Sequence, residues 1–387
     1  MKIVEILTAK HKREFLQLPV QLYKNEKNWI RPLDKDVEAV FDPKENKFFR
    51  HGECTRWLLL NQQGNTIGRV AAFWDKHTAR KGNDQPTGGM GFFECIQDQE
   101  AAFLLFDTCK KWLTDRGMEA MDGPINFGNR DRWWGLLVEG FTEPNYCMPY
   151  NFLYYKDFFE SYGFQVYFNQ YTYYRKIVEP LAESVFKRAH RILNNPDYKV
   201  CHLETNKIEK YAEDFRTVYN KAWAKHAGVG LMKKEQSMAL MKSMKPILDP
   251  EIIWFSYHKD EPIAFFIMIP EINQIIKRLN GRFNIFSKLK FLWLKKRGAC
   301  KKIFGVIFGV VPDFQNKAVE AAMIVTYEHY AHVPNYRYED LELNWIGDFN
   351  PKMMRVVEEI CTTKSKIHIT YRKLFDETKP FKRAPEL

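Results

Sequence analysis

The sequence predicts an α/β chain of the α+β kind, built as two tandem lobes, each a mixed, mostly antiparallel sheet flanked by helices. Two observations predict it. Short apolar runs rich in β-branched and aromatic residues, bordered by Gly, Pro, Asn and Asp, alternate with stretches of helical period. The order of these elements then repeats: Gly64 and Asp260, in matching polar turns, are 196 positions apart, and Tyr174 and Tyr371 are 197 apart.

In the first half, Thr55–Leu60 and Thr66–Phe73 read as a hairpin turning at Gly64; in the second, Glu251–Tyr257 and Ile263–Ile269 form the same pair across His258–Pro262. A further strand follows in each half, Gly91–Ile96 and Ile303–Val311. A helix comes next, Glu100–Asp115 and Lys317–His332, then a strand, Met118–Ile125 and Tyr338–Trp345. A short helix, Tyr154–Tyr162 and Pro351–Cys361, precedes the closing strands Val166–Arg175 and Lys366–Leu374, both of which carry Tyr-Arg-Lys. The helix starts Ala101 and Ala318 are 217 apart, so the second half carries about 20 extra residues between hairpin and helix. The first half recovers them after its later strand. Segments 10–50 and 207–248 read as helices with polar connections. Gly88-Gly-Met-Gly91 lacks the strand–loop–helix setting of a dinucleotide loop and reads as a turn feeding a strand. Pro180 and Asn194-Asn195-Pro196 flank a charged helical stretch, Glu183–Arg191. The expected division is therefore 1–180, a linker 181–197, and 198–387 with a basic insert at 270–302.

Composition narrows the function classes. Charged residues are 28% and apolar ones 45%, values of a globular chain that exclude a wholly disordered or fibrous one. Aromatics reach 15%, ring area that needs a large core or a broad apolar pocket. The longest apolar run, Ile263–Ile269, is too short to span a bilayer, and the N-terminal MKIVEILTAKHKREF has no signal-peptide core; a cytoplasmic protein is expected. Seven cysteines, none closer than 14 residues to the next, argue against a disulfide framework or a zinc knuckle. The ten histidines do not cluster in sequence, and His329 and His332 have no carboxylate or cysteine pattern to complete a site, so no metal is expected.

The element order, together with Gly309-Val310-Val311-Pro312-Asp-Phe-Gln315-Asn316-Lys317-Ala318-Val319-Glu320, resembles the GNAT acyltransferase superfamily. There a strand ending V-x-P leads into Q/R-x-x-G-x-G/A at a helix start; here Ala318 and Glu320 stand at the two glycine positions. Glu342-Leu-Asn344-Trp345, Asn350-Pro-Lys-Met-Met and Asn151–Phe164 add to the likeness. The runs Leu18–Leu33 and Gly135–Phe141 are similar to those of a bacterial subfamily of tandem GNAT-like proteins that N-acylate long-chain amines, the bacterial ceramide synthase-like group. The resemblance implies acyl-CoA, or another acyl thioester, as a substrate, an amine as acceptor, and no metal. Val310, Val311, Gln315, Asn316, Lys317, Ala318 and Val319 would hold the coenzyme, its diphosphate lying at the helix N-terminus, where amides and the dipole favour an anion.

The amine must lose a proton before it attacks, so a carboxylate near the parted strands is wanted. Glu139, in the apolar run Gly-Leu-Leu-Val-Glu-Gly-Phe, and Glu342, alternating with Leu341 and Leu343, are the candidates. Tyr155 or Tyr371 would reprotonate the leaving thiolate. The pocket is expected between the strands ending near Val311 and Trp345, closed by Phe127–Tyr150. Asn126, Asn129, Arg130, Trp134 and Asn344 are then substrate-binding candidates.

The insert Lys277–Lys302 holds ten Lys or Arg and no acidic residue, with Phe283, Phe286, Phe291 and Trp293 among Leu and Ile. A helix over Ile285–Arg297 with such residues suits an anionic membrane surface, each cation contributing on the order of 1 kcal/mol. Nucleic acid would use similar side chains. The leading reading is an N-acyltransferase, cytoplasmic or peripheral at the inner membrane face, with the acceptor tilted towards a lipid amine. Two alternatives stay open. One is a catalytically silent lipid- or RNA-binding module, which Ala318 and Glu320 favour. The other is an aminoacyl-tRNA-dependent transferase, which the net charge of +11 would suit.

Overall fold

The alternating apolar runs of both halves join in one sheet. The computed structural model describes every residue except 224–230, 362 and 387; part of the expected helical segment 207–248 therefore lies outside the described residues. The first half contributes β1 (Lys2–Glu5), β2 (Gly52–Leu60), β3 (Thr66–Asp75), β4 (Thr87–Cys95), β5 (Ala120–Gly123), β6 (Leu136–Glu139) and β7 (Gln165–Lys176). The second contributes β8 (Tyr198–His202), β9 (Ile253–His258), β10 (Glu261–Pro270), β11 (Lys302–Val310), β12 (Asp340–Gly347) and β13 (Thr363–Leu374). Their order is β1-β2-β3-β4-β5-β13-β7-β12-β11-β10-β9-β8, with β6 paired to β13 off this path.

The closing strands are exchanged. β13 pairs with β5 of the first half, β7 with β12 of the second, and β7 and β13 pair with each other along their length. The arginine of each Tyr-Arg-Lys run fastens its strand across. Arg372 Nε donates to Asp122 Oδ1 at 2.6 Å, and Arg175 Nη1 donates to Ile360 O at 3.0 Å. Both β4–β5 and β11–β12 are parallel pairs; the other neighbours are antiparallel.

Helices cover the sheet as their apolar periods require. Gln99–Thr114, capped by Asp98 (which accepts from Ala101 N at 3.0 Å), buries Leu105, Phe106, Cys109 and Leu113. Val319–Ala331 is buried on nearly every side because Glu183–Leu193 packs on its outer face through Val185, Ala189 and Ile192.

Two strands were not anticipated, β1 and β6. β6 has four residues and lies between Gly135 (φ 67°) and Gly140 (φ 76°). A Cβ on Gly140 would fall 1.9 Å from Ser365 O, so only glycine lets this loop approach β13. Gly88–Gly91, expected as a turn, lies inside β4. The missing side chains admit Phe73 and Leu113, whose atoms would lie 2.3–2.4 Å from a Cβ on Gly89 or Gly88.

Candidate active site

In the second half, β11 and β12 run paired from Lys302↔Asp340 to Gly305↔Leu343 and then part. A bulge in the β10–β11 register between Ile267 and Met268 leaves Val306 out of the ladder, 44% exposed. At the parting lies a small apolar cleft of about 60 Å³, lined by Phe266, Val306, Phe308, Leu343, Ile346 and Met353, with Asn344 also in its wall.

The strand runs out of this cleft into the loop named from the sequence. Val310 and Val311 are buried; Gln315, Asn316 and Lys317 are exposed. Gln315 Nε2 donates to Val310 O at 3.1 Å, and Lys317 lies 5.1 Å from the Phe314 ring. Asn316 (φ 60°) and Ala318 (φ 64°) are both left-handed, and the helix opens at Val319 with no side chain capping it. The loop therefore takes the turn that a glycine would favour, at a strain of about 1–2 kcal/mol for Ala318, and the first-turn amides have no partner within the helix. Glu320 faces the charge of Arg188.

The first half has its own parting, where Phe93, Glu94, Ile125 and Tyr155 line a second cavity. β4 and β5 pair from Thr87↔Ala120 to Gly89↔Asp122, but Ile125 N then donates to Met90 O at 2.8 Å. Tyr155 OH accepts from Cys95 N at 2.8 Å, and Tyr154 OH donates to Cys95 O at 2.9 Å, so the outer edge of β4 is already bonded. Tyr155 is fully buried, and burial with Glu94 and Tyr23 nearby pushes its phenol well above the ordinary value. Tyr371 is likewise buried in the first-half core and donates to Glu160 Oε1 at 3.0 Å. The two tyrosines thus lie apart from the second-half cleft.

A buried polar cluster adjoins the open cleft. Glu342, 3% exposed, accepts from Lys366 Nζ at 2.6 Å, Lys302 Nζ at 2.9 Å and Ser365 Oγ at 3.0 Å. Burial alone would raise its carboxyl; the two ammonium groups overcome this and hold it at about 2. Glu342 is therefore a fixed anion at neutral pH. Glu139 ends β6 at the surface, exposed, without the apolar surroundings its sequence neighbours suggested.

A carboxylate that the sequence reading missed lies beside them. Glu271, 1% exposed, accepts from Asn273 N at 2.7 Å and Tyr146 N at 3.0 Å. Burial pushes it up to about 7, against the pull of Lys302. Its signal was the one assigned to Glu139: a lone carboxylate ending an apolar strand, Ile263–Pro270.

The first-half segment 127–150 closes over these groups. Trp345 Nε1 donates to Arg130 O at 2.7 Å, and Asn273 Nδ2 donates to Pro144 O at 2.8 Å. Asn145 Nδ2 reaches Asn344 Oδ1 at 3.5 Å, and the Trp134 ring lies 6.2 Å from that of His368. His368 Nε2 donates to Pro149 O at 3.3 Å, which leaves Nδ1 a bare acceptor; burial pushes this imidazole down to about 3. Trp134 Nε1, Asn145 Oδ1, Asn344 Nδ2 and His368 Nδ1 are buried without a protein partner. Trp134 and Asn344 thus join the cluster, Arg130 does so through its carbonyl, Asn126 is buried with Oδ1 unpaired, and Asn129 is exposed.

The histidines are not all scattered. His51, Asp75 and His77 bring ligand atoms within 4.8 Å of one another. The two rings stack at 4.2 Å, and Asp75 Oδ1 accepts from His77 N and Thr78 N. Among the described residues no helix is long and apolar enough to cross a membrane.

No protein-family model matches the chain. It is 25% identical to bacterial ceramide synthase of Caulobacter vibrioides over 377 residues, covering 96% of this chain and 97% of that protein. It is also 25% identical to protein YghO of Escherichia coli over 374 residues, covering 93% and 92%. Among solved structures, a tandem GNAT protein from the clavulanic acid biosynthesis pathway superposes with a TM-score of 0.55 at 8% identity, over 98% of this chain and 99% of that one. A GCN5-related glucosamine N-acetyltransferase region of a fungal multi-domain β-N-acetylglucosaminidase also gives 0.55, at 7% identity; 96% of this chain matches 38% of that protein. With parted parallel strands in both halves and closing strands exchanged between them, this chain is a protein of tandem GNAT fold.

Proposed function

We propose that the chain is an N-acyltransferase that binds an acyl thioester, acyl-CoA or another, in the second-half cleft and passes the acyl group to an amine. The observation that carries this is the apolar cleft where β11 and β12 part at Val306 and Leu343, continued by the left-handed loop Asn316–Ala318 into an uncapped helix start. The thioester carbonyl would sit at the Val306 bulge, its diphosphate over Asn316–Val319. Glu271 would take the proton of the ammonium group. The free amine then attacks the carbonyl carbon, a C–N bond forms, the C–S bond breaks, and the thiolate leaves to be protonated. Glu342 would not act as the base; held low by two lysines, it sets the field in which Glu271 and His368 work.

The acceptor favoured is a lipid amine. The name of the Caulobacter relative supports this, and so does the insert. On helix Ile285–Lys296, Phe291 and Leu294 are buried, while Ile285, Phe286, Leu289, Leu292 and Trp293 are 52–77% exposed among lysines. Such a surface fits an anionic bilayer. The lobes 1–180 and 198–387 are kept as the working division. Titration with acyl-CoAs of increasing chain length should raise the melting temperature by mass action, and Val356→Trp, which narrows the cleft, should abolish the rise. The second reading, a silent binding module, is favoured by Ala318 and Glu320; stabilisation by lipid or RNA and by no thioester would establish it instead.

A further inference from the structure

The fold returns two of the ten histidines to one carboxylate, on the first half and away from the β11–β12 parting. His51 follows the short turn Lys47–Arg50, and Asp75 ends β3. The β2–β3 ladder sets these two side by side: Gly52 pairs with Asp75, and Lys76 N donates to His51 O at 2.9 Å. His77 stands two residues on, in the turn that leaves β3.

The three side chains offer ligand atoms within 4.8 Å of one another. Asp75 is held by one oxygen: Oδ1 accepts from His77 N at 2.9 Å, Thr78 N at 3.1 Å and Thr78 Oγ1 at 3.3 Å. Its Oδ2 meets His51 Nδ1. The Asp75 side chain is 5% exposed and that of His51 25%, while His77 is exposed, so the group is walled on the carboxylate side and open to water on the other. A carboxylate fixed by outer hydrogen bonds, beside two imidazoles that solvent reaches, has the supported ligands and the entry path of a metal site. Two nitrogens and one oxygen suit zinc and its neighbours, whereas magnesium and calcium take oxygen ligands.

We propose that His51, Asp75 and His77 bind a divalent transition ion of the zinc class, with water completing its shell on the exposed side. Ligands of one zinc ion stand about 3.3 Å apart. The exposed His77 ring, stacked at 4.2 Å on that of His51, turns out of the stack to close on the ion. The ion acts as a staple and takes no part in acyl transfer. The Phe48 ring lies 5.4 Å from that of His51, Phe48 and Phe49 hold the Phe127 ring at 5.9 and 5.0 Å, and Asn46 Nδ2 donates to Phe127 O at 2.9 Å. Phe127 opens the segment 127–150, so fixing His51 steadies the root of the covering segment.

The test titrates the full chain, first treated with a chelator, with Zn²⁺ in a calorimeter and with Co²⁺ followed by visible absorption. One equivalent of Zn²⁺ should bind and raise the melting temperature by mass action, and Mg²⁺ at the same concentration should do neither. His77→Ala, at an exposed position, should weaken Zn²⁺ binding at least about tenfold. Asp75→Asn, which keeps the Oδ1 acceptor and loses the ligand oxygen, should do the same. Absence of saturable Zn²⁺ binding, or binding unmoved by both variants, would overturn the site. So would a thiolate charge-transfer band in the cobalt spectrum, which would place the ion on one of the seven free cysteines.

Discussion

Lys366 on β13 reaches across β7 to Glu342 on β12, Nζ to Oε1 at 2.6 Å, with 1% and 4% of the two side chains exposed. The pair spans three strands at the seam of the two halves. Removing one member of a buried pair leaves the other uncompensated, so Glu342→Gln, which strands Lys366, should cost about 3–5 kcal/mol in urea unfolding, and Lys366→Met should cost less because Lys302 still pairs with Glu342.

The same pair sets an acid limb. Glu342 titrates at about 2 in the folded chain against an ordinary 4.5. A depressed carboxylate contributes its full stability above the unfolded value and loses it as pH falls through the folded one. About 3 kcal/mol should therefore disappear between pH 4.5 and pH 2, and Glu342→Gln should flatten that slope. A wild-type slope unchanged by the substitution would show that the limb arises elsewhere.

Glu271 should act in the opposite sense. Its folded value, about 7, lies above the ordinary 4.5, so the folded chain holds the proton more tightly and loses stability as pH rises from 4.5 to 7. Glu271→Gln should be more stable than the wild type at pH 8 by about 3 kcal/mol at most and equal to it near pH 4.5. If Glu271 is the base, kcat/KM should rise with pH through about 7 in the wild type, and that limb should vanish in the variant. A limb retained in the variant would assign the proton to another group.

Ala318 holds a left-handed backbone without being glycine. Ala318→Gly should stabilise the chain by about 1 kcal/mol in calorimetry and lower the acyl-CoA concentration needed for half-maximal thermal shift. A fall in melting temperature would contradict the strain.

For the exposed helix, Phe286→Ser with Trp293→Ser should abolish sedimentation with anionic liposomes, and Lys288→Glu with Lys296→Glu should do the same. Lys290 and Lys295 are poorer targets: their Nζ groups already donate to Arg278 O and Pro246 O. Undiminished sedimentation in both double variants would remove the membrane reading.

The hairpins, both splayed strands and the helices that follow them were legible because each is a local pattern of period 2 or 3.6 bounded by turn residues. The exchange of closing strands was not, since Val166–Arg175 reads the same whichever half it completes. Register and partner depend on contacts such as Arg372–Asp122, 250 residues apart. Around the candidate site, the strand-to-helix turn from Val310 to Val319 and the packing of 127–150 against the second half were readable. Glu271 was passed over for Glu139 because both are lone carboxylates at the end of apolar runs, and only tertiary packing decides which is buried.

The crossing of β7 and β13 bears on how the chain is made. While the ribosome is still translating, β5 and one edge of β7 emerge without the partner they take in the fold, and they lack it until Thr363–Leu374 has been synthesised. Such an intermediate offers unpaired strands to any neighbouring nascent chain, so maturation should be slow and lean on chaperones. Two fragments severed between Pro180 and Pro196 should each precipitate when expressed singly, yet recover a soluble heterodimer when expressed together.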